Sequence, residues 1–344
     1  MSTVSPRRHF LKSLTVAALA VLLGVSAAGI AGCDGKEKDH TLNAGFFPNV
    51  THAQAIIARE LAREGKPWFE PRLPQGWKLE WVGFNAGPSA MESLITGSVD
   101  VTYVGPSPVI NAHVRTRGEH IRLLAGSAVG GSALVVPKDS AKMKPGDFRK
   151  CRIATPQLGN TQDVACRAWL AAGGLKFNVQ GGDVLVVPTP NPDQADLIAA
   201  GRVDGVWTVE PWVTRIVKLT GAKIVHELPE ETTTVLVTDR KILATPKKPA
   251  IEAFLKAHLE LTDWIAAHRE EAETLLHKGL AYEMRAKNLP KDLVVESFSR
   301  VKLTGKVNFA DLDKAMKDAH TAGLLKDTAP LAPLREYYHD DSAR

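Results

Sequence analysis

The sequence predicts an α/β protein in which two doubly wound lobes are joined by a hinge and followed by a helical C-terminal layer. At 344 residues the chain exceeds the usual size of one domain, and 44% hydrophobic with 24% charged residues is an ordinary globular composition. Short β-branched or aromatic runs alternate with helical stretches from residue 41 to about residue 238, which is typical of parallel α/β units. Beyond residue 238 the periodicity predicts amphipathic helices alone.

Each element of this pattern is placed by its own run of residues. The predicted strands are residues 42–47, 78–84, 99–104, 122–127, 133–136, 152–155, 184–187, 205–208, 223–226 and 233–238. The helices between them are expected to begin near Thr51, Pro88, Ser107, Thr161, Pro192 and Pro211. The predicted C-terminal helices are residues 249–268, 270–283, 292–300 and 309–322, with no strand among them.

The strand pattern occurs twice, which divides the chain into two lobes. We expect the smaller lobe to be residues 132–230 and the larger lobe to be residues 41–131 together with residues 231–344. The crossings near residues 129–132 and 228–232 would then form the hinge. Two lobes of this kind imply a cleft between them.

The N-terminus has the three-part build of an export signal. An arginine pair at residues 7–8 precedes an apolar run, and small residues lead to Cys33 at its end. This pattern predicts a signal peptide at residues 1–32 and a lipidated tether at residues 33–40, with acyl chains on Cys33 attaching the protein to the membrane. A transmembrane anchor is the alternative, and the arginine pair is also similar to a twin-arginine signal in which Pro6 replaces the usual Ser or Thr.

Removal of the signal peptide leaves a nearly neutral protein. Three of the 43 Lys and Arg lie in residues 1–32 and none of the 38 Asp and Glu does, so the mature chain holds 40 against 38. This balance gives no electrostatic sign of nucleic-acid binding. No His or Cys cluster has metal-ligand spacing, so we expect neither a metal nor another cofactor. The sequence leaves open whether Cys151 and Cys166 form a disulfide.

Four loops are expected to carry the function, because ligands bind at the C-terminal ends of strands in open α/β sheets. They are residues 48–52, 105–108, 157–163 and 210–212. Thr51, Ser107 and Thr161 each lie at the start of a predicted helix beside Gly, Pro or Asn, where free backbone N–H groups and the helix dipole bind anions. Ordinary helix capping is the alternative explanation for any one of these loops.

The same loops resemble segments of a known family. The segments are GFFPNVTHA at residues 45–53, YVGPSP at 103–108, ATPQLGNTQD at 154–163 and VEPW at 209–212. In this order and spacing they are similar to the nitrate/sulfonate/bicarbonate family of ABC-transporter substrate-binding proteins, and most of all to its aliphatic-sulfonate branch. The resemblance runs from about residue 41 to about residue 325.

This resemblance implies a type II periplasmic-binding-protein fold, in which two α/β lobes close on a small anionic ligand and pass it to an ABC permease and its ATPase subunit. It also implies an exported protein on the periplasmic or extracytoplasmic face of the membrane, which we expect to be a monomer. The family's ligand-contacting positions carry over to Thr51, His52, Gly105, Ser107, Ser132, Gly159, Asn160, Thr161, Glu210 and Trp212.

The residue types in the four loops favour an aliphatic sulfonate as the ligand. No Arg or Lys lies in these loops, and a single diffuse charge on three oxygens suits neutral hydroxyl and N–H donors. A dianionic ligand would instead recruit Arg. Nitrate, bicarbonate and a pyrimidine precursor remain the alternatives within the family.

Three of the carried-over residues allow two interpretations each. His52 is either a donor to the ligand or simply exposed. Glu210 either points toward the hinge and accepts backbone N–H bonds, or meets a cationic group on a zwitterion such as taurine. Trp212 either walls the cleft against a ligand tail or belongs to the core of a lobe.

Catalysis is not expected from this sequence. It has no Gly-x-Ser-x-Gly elbow, no P-loop and no GxGxxG fingerprint after a strand. Ser107 with His52 is the one conceivable nucleophile and base, and a Pro-flanked helix start gives no reason for activation. A hydrolase is therefore the alternative class of protein.

Overall fold

Two mixed β-sheets organise the chain in the computed structural model, which describes residues 40–178 and 181–338. The strands are β1 (Thr41–Phe46), β2 (Lys78–Gly83), β3 (Val101–Val104), β4 (Ile121–Gly130), β5 (Ser132–Val136), β6 (Arg152–Thr155), β7 (Phe177–Asn178), β8 (Gly181–Gly182), β9 (Leu185–Pro188), β10 (Gly205–Val209), β11 (Lys223–Glu227), β12 (Thr232–Asp239) and β13 (Val301–Leu303). The helices are α1 (Ala53–Arg63), α2 (Gly87–Ile95), α3 (Pro106–Arg115), α4 (Thr161–Ala172), α5 (Gln194–Ala199), α6 (Trp212–Thr220), α7 (Arg240–Leu243), α8 (Lys248–Ala267), α9 (Arg269–Glu283), α10 (Lys291–Ser299) and α11 (Phe309–Thr321).

The first sheet has six strands in the order β13-β4-β12-β3-β1-β2, and the second has five in the order β11-β5-β10-β6-β9. Strands β1, β2 and β3 run parallel, as do β6, β9 and β10. All ten predicted strands are present, and the prediction of an α/β fold with helices between them is confirmed.

The strand directions differ in part from the parallel units that the sequence predicted. In the first sheet β12 is antiparallel to both β3 and β4, and in the second sheet β5 is antiparallel to β10 and β11. The strand that follows each crossing, β5 in the second sheet and β12 in the first, runs against the parallel strands, whereas β4 and β11, which precede the crossings, run with them. Alternation of hydrophobic residues marks a buried strand but not its direction.

One strand interrupts the helices that were predicted to run without strands. β13 follows α10 directly and pairs antiparallel with β4 at the edge of the six-stranded sheet. It is three residues long and begins directly after residue 300, where the predicted helix ends. A run this short carries no period that separates it from the end of that helix.

The two sheets define two halves of the molecule. We call residues 40–131 and 231–338 the six-stranded half and residues 132–230 the five-stranded half, because β5 to β11 all lie in the second range. A large hydrophobic core fills the six-stranded half, and two smaller clusters fill the five-stranded half. The predicted lobe boundaries stay a prediction, since the described residues group into one compact unit.

The chain passes between the halves at two places, between β4 and β5 and between β11 and β12. Gly130 and Gly131 at the first crossing have φ of 80° and 76°, a left-handed conformation that favours glycine. A Cβ on Gly130 would lie 2.7 Å from the Arg300 carbonyl oxygen, so space as well as conformation requires glycine there. Helices add further contacts between the halves, because α11 packs on both α3 and α4 and α10 packs on α6.

The two cysteines of the described residues are not bonded to each other. Cys151 and Cys166 are free and buried, so they form no disulfide, and burial raises the pKa of both thiols. The predicted signal peptide and lipidated Cys33 lie outside the described residues. Within residues 40–178 and 181–338, no helix is both long and apolar enough to cross a bilayer.

Candidate functional site

A small cavity of about 20 Å³ lies between the two halves. The six-stranded half contributes Phe47, Asn49, Thr51, His52, Asn85, Ala86, Gly87, Gly105, Pro108, Thr233 and Thr234 to its lining. The five-stranded half contributes Pro156, Asn160, Thr161, Gln162, Asn191 and Val209. This volume holds about one water molecule, so the two halves are closed on each other here.

Helix N-termini from both halves surround the cavity. α2 begins at Gly87 and α3 follows Gly105 in the six-stranded half, while α4 begins at Thr161 in the five-stranded half. A 3-10 turn at Val50–His52 leads into α1 on the same side. The first turns of α2, α3 and α4 have backbone N–H groups without an intrahelical acceptor and the positive end of a helix dipole, whereas the Val50 and His52 N–H groups of the 3-10 turn already donate to backbone carbonyl oxygens. The cavity is therefore electropositive although no cationic side chain from the described part of the chain lines it.

No formal charge lines this cavity among the described residues, since His52 is held neutral. Burial lowers the pKa of His52 to about 3. The Phe47 backbone N–H donates to His52 Nδ1 over 3.3 Å, so the ring proton is placed on Nε2. His52 therefore enters the lining as a neutral N–H donor rather than as a cation or a base.

Three amide side chains around the cavity have their acceptor atoms engaged by other groups of the protein. Trp212 Nε1 donates to Asn49 Oδ1 over 2.8 Å, and Thr208 Oγ1 donates to Asn191 Oδ1 over 3.2 Å. Gln162 Oε1 likewise accepts a bond from the neighbouring Asn160 amide. These partners orient each amide and leave its remaining N–H groups to donate. The lining is thus rich in donors and poor in free acceptors.

Two buried hydroxyl groups in the lining have no hydrogen-bond partner among the described residues. Thr161 Oγ1 at the start of α4 and Thr234 Oγ1 on β12 are both buried and unpaired. A buried hydroxyl without a partner costs about 1–3 kcal/mol, so native proteins rarely keep one without a reason. These two hydroxyls come from opposite halves, and a ligand in the cavity would satisfy both.

A buried carboxylate holds the α4 loop in shape. Asp163 accepts bonds from the Gly159 N–H, Thr155 Oγ1 and Arg167 Nε, each over 2.9 Å. Arg167 is as buried as Asp163, so the negative charge is balanced inside the protein. The carboxylate therefore shapes the loop without repelling an anion at the N-terminus of α4.

Five of the ten carried-over residues line the cavity and five do not. Those in the lining are Thr51, His52, Gly105, Asn160 and Thr161. Those outside it are Ser107, Ser132, Gly159, Glu210 and Trp212. Of the open interpretations, exposure of His52 is wrong, because its side chain is 2% exposed.

The five residues outside the lining each lie at another identifiable place in the structure. Ser107 is buried one residue inside α3, and Gly159 lies on an outer groove beside α2. Ser132 and Glu210 line a separate cavity of about 110 Å³ next to the chain crossing. Trp212 stands behind Asn49 and reaches the cavity only through its hydrogen bond to that residue.

Glu210 turns away from the cavity. Its carboxylate accepts the Thr214 backbone N–H over 3.1 Å and Thr214 Oγ1 over 2.8 Å, and it lies 3.5 Å from Arg300 Nε. Burial raises the pKa of this carboxyl group. The interpretation that Glu210 accepts backbone N–H bonds therefore fits the geometry. The interpretation that it meets a cationic group of the ligand does not.

Sequence reasoning missed several polar residues of the lining. Asn49 and Gln162 lay inside the selected loops but were not singled out, and Asn85 and Asn191 follow the parallel strands β2 and β9. The rule that ligands bind at the C-terminal ends of parallel strands covers the last two. Thr234 lies within the antiparallel strand β12, where no sequence signal marks it.

No cluster of three or more His, Cys, Asp or Glu side chains suited to a metal occurs in the part of the chain that the structure describes. Likewise, no hydrogen bond joins Ser107 to His52 among these residues, and His52 Nδ1 is occupied by the Phe47 N–H. The arrangement therefore offers hydrogen-bond donors to a bound oxyanion.

Sequence comparisons identify proteins that are similar to this chain. Residues 35–277 match the model of the NMT1-like family. The taurine-binding periplasmic protein of Escherichia coli is 28% identical over 189 residues, which cover 54% of this chain and 57% of that protein. The nitrate/nitrite binding protein NrtA of Nostoc sp. is 24% identical over 311 residues, which cover 83% of this chain and 66% of that protein. The matches thus span less than two thirds of either relative.

A structural comparison agrees on the fold. The alkanesulfonate-binding protein SsuA from Xanthomonas axonopodis pv. citri, solved with MOPS bound, superposes with a TM-score of 0.66 at 20% identity. The superposition covers 87% of this chain and 99% of that one. The fold is therefore that of the periplasmic binding proteins, as the sequence predicted.

Proposed function

The chain belongs to the NMT1-like family, and from that membership we propose that it is the extracytoplasmic solute-binding protein of an ABC importer. Its ligand is a small monoanionic oxyanion held between the two halves, with an aliphatic sulfonate as the first candidate. Its partners are the permease and the ATPase subunit of that importer. The protein itself acts as a monomer and carries out no catalytic step.

One observation carries the choice of ligand class: the cavity offers neutral donors from both halves and, among the residues that the structure describes, no cation. Asn49, His52 and Asn191 each have their acceptor atom engaged by another part of the protein. A sulfonate group has three acceptor oxygens, one diffuse charge and no donor, which matches such a lining. Bicarbonate and pyrimidine precursors carry donors of their own, for which this lining has few free acceptors.

Nitrate is the second candidate, and the small size of the cavity favours it. At about 20 Å³ the closed cavity holds about one water molecule, and nitrate, a planar ion without a tail, requires less opening of the halves than a sulfonate does. A sulfonate needs the halves to stand further apart than they do here. The two candidates therefore differ in how far the halves close around the bound ligand.

A ligand that contacts both halves also explains how binding is communicated to a transporter. Its full set of contacts exists only when the halves are closed, so binding shifts the population toward the closed form. Reversing a ratio of about 99 to 1 requires roughly 5.5 kcal/mol of differential binding. A few charge-assisted hydrogen bonds of about 1.5–3 kcal/mol each are enough.

Isothermal titration calorimetry with ethanesulfonate, taurine, nitrate, bicarbonate and a hydroxymethylpyrimidine tests the proposal. We expect micromolar binding of a sulfonate or of nitrate, with no turnover of any compound. Binding of the neutral pyrimidine with no binding of either anion would overturn the proposed ligand class. Hydrolysis or conversion of a compound in the panel would instead favour an enzyme.

Attachment to the membrane is proposed from the sequence, since Cys33 lies outside the described residues. Cys33→Ser should block acylation and leave a larger, unprocessed precursor in the producing cell. Electrophoretic mobility and intact mass report both effects. Normal processing of the variant would exclude lipoprotein maturation.

A further inference from the structure

A second concave surface lies between the two halves, away from the cavity described above. It encloses about 600 Å³ between α6 of the five-stranded half and the turn that joins α9 to α10 in the six-stranded half. Arg215 and Lys218 line it from α6, and Arg285 and Lys287 line it from the turn. We call this surface the basic groove.

The charge of the basic groove is largely unbalanced. Its lining includes four cationic residues and, within the described chain, no Asp or Glu. Lys218 forms ion pairs with Asp292 at 2.9 Å and Glu296 at 3.0 Å just outside the groove. The other three cationic residues make no ion pair with any carboxylate of the described residues. Three uncompensated cations on facing walls create a local positive potential.

Arg215 gives an independent sign that a ligand is expected. Its Nε atom is buried and donates to no acceptor among the described residues, and its guanidinium carbon lies 5.9 Å from the centroid of the Trp212 ring. A buried N–H group without an acceptor destabilises a protein unless a ligand or water supplies one. A guanidinium group pairs best with the paired oxygens of a carboxylate or phosphate.

The groove also has an apolar side. Leu219 follows Lys218 on α6 with 63% of its surface exposed, and Leu289 lies on the opposite wall. Arg285, at the rim, adopts φ of 52°, a left-handed conformation that a non-glycine residue holds only at a cost. The groove is thus of ligand size, cationic on both walls and partly apolar.

We propose that the basic groove binds an anion with two or more negative charges, of the phosphate class, and that the bound anion bridges the two halves. The contrast with the first cavity supports this class. A cavity without cations suits a monoanion, whereas three unpaired cations suit a dianion or polyanion. Because α6 and the α9–α10 turn belong to different halves, the anion stabilises the closed arrangement in which both walls face it.

Titration calorimetry of the full-length protein with inorganic pyrophosphate at low ionic strength tests the proposal. We expect binding that weakens at least about tenfold in Arg215→Gln and also in Lys287→Gln, which lie on opposite walls. Lys66→Gln, which removes an exposed cation elsewhere on the six-stranded half, is the matched control and should leave the affinity unchanged. Lys287 is exposed, so its variant is expected to fold even where Arg215→Gln does not.

Further titrations identify the source of the phosphate and distinguish binding at this groove from binding at the cavity. If a lipid supplies the phosphate, dihexanoyl phosphatidic acid should bind more tightly than pyrophosphate, and Leu219→Ser should weaken binding of the lipid but not of pyrophosphate. Equal affinities of the two compounds would identify a free phosphate compound as the ligand. Thr161→Ala should not change pyrophosphate binding, because Thr161 lies at the other cavity. Three results would each overturn the bridging site: no binding of pyrophosphate, weaker pyrophosphate binding in Thr161→Ala, or weaker binding in only one of Arg215→Gln and Lys287→Gln. These results do not depend on which ligand the cavity binds.

Discussion

Gly105 and Thr161 meet across the junction of the two halves with no room for another carbon atom between them. A Cβ added to Gly105 would lie 2.1 Å from Thr161 Oγ1 and 3.1 Å from Thr161 Cβ. Gly105 has φ of −73°, which any residue adopts, so it is space and not backbone conformation that requires glycine. The N-termini of α3 and α4 therefore approach each other only because this residue has no side chain.

Gly105→Ala is expected to prevent full closure of the two halves. The added methyl group must displace Thr161, so the ligand loses contacts from one half and its affinity falls by about ten- to a hundredfold, or roughly 1.4–2.8 kcal/mol. Calorimetry measures the affinity, and small-angle scattering measures the compaction that ligand induces. Gly146→Ala is the matched control, because its Cβ meets no atom within 4 Å. Equal affinity in the two variants would show that the halves need not meet at Gly105.

Thr234→Val should make the protein more stable and bind ligand less well. The Thr234 hydroxyl is buried without a partner in the described part of the chain, so its removal raises the free energy of unfolding by about 1 kcal/mol while it deletes one donor to the ligand. Urea denaturation and calorimetry measure the two effects. Thr238→Val on the same strand is the control, since its hydroxyl donates to the Asp100 carbonyl oxygen over 2.7 Å and its loss should destabilise. A destabilised Thr234→Val variant would mean that this hydroxyl has a partner in the folded protein.

Trp212→Phe should weaken anion binding although the indole does not line the cavity. Without the indole N–H, Asn49 Oδ1 loses its donor and the amide is free to turn an acceptor toward the ligand. We expect a loss of about tenfold in affinity, together with a smaller preference for anionic over neutral ligands. Trp207→Phe deletes a comparable bond to Ser132 Oγ, over 3.2 Å, and should change stability but not that preference. The same change in ligand preference in both variants would show that Trp212 does not act by positioning the Asn49 amide.

The protein should lose stability in acid through its buried histidines. Burial lowers the pKa of His258 to about 4 and that of His52 to about 3, whereas both titrate near 6.5 in the unfolded chain. The unfolded state therefore binds more protons below pH 6.5, and the stabilisation present above pH 6.5 is lost as the pH falls through about 4 for His258 and about 3 for His52. Each histidine contributes a slope of up to about 1.4 kcal/mol per pH unit.

His258→Gln isolates one of these contributions. His258 Nε2 donates to the Gly126 carbonyl oxygen over 2.8 Å, while Nδ1 accepts from the Tyr103 hydroxyl over 2.9 Å. Glutamine offers a donor and an acceptor but does not titrate. Urea denaturation between pH 7.5 and pH 4.5 should give the variant a shallower loss of stability than the wild type. Parallel curves would contradict a neutral His258 in the folded protein.

The elements of the fold were accessible from the sequence because each is a local pattern. The parallel strands and the starts of α3 and α4 follow from alternation and from turn residues that precede a helix. The antiparallel direction of β12 and the pairing of β13 with β4 depend on contacts between distant segments, which periodicity does not encode.

The residues of the candidate site also divide into those that a local pattern identifies and those that depend on contacts between distant segments. Thr51, His52 and Thr161 were found because they lie at the ends of parallel strands, whereas Thr234 was missed inside an antiparallel strand. The direction of the Glu210 carboxylate depends on Thr214 and Arg300, and the second of these is 90 residues further along the chain. Which atoms of a side chain are engaged, and by what, follows from packing and was not available from residue types.

The central claim is that a cavity shared by both halves is rich in donors and poor in free acceptors, and so favours a ligand that only accepts. Methanesulfonate and methanesulfonamide test it most directly, because they have nearly the same shape and the second replaces an anionic oxygen with an NH₂ donor. By calorimetry we expect methanesulfonate to bind at least about a hundredfold more tightly, since the N–H groups of the amide would face donors and remain unpaired. Equal affinity for the two compounds, or binding of the sulfonamide alone, would contradict the claim.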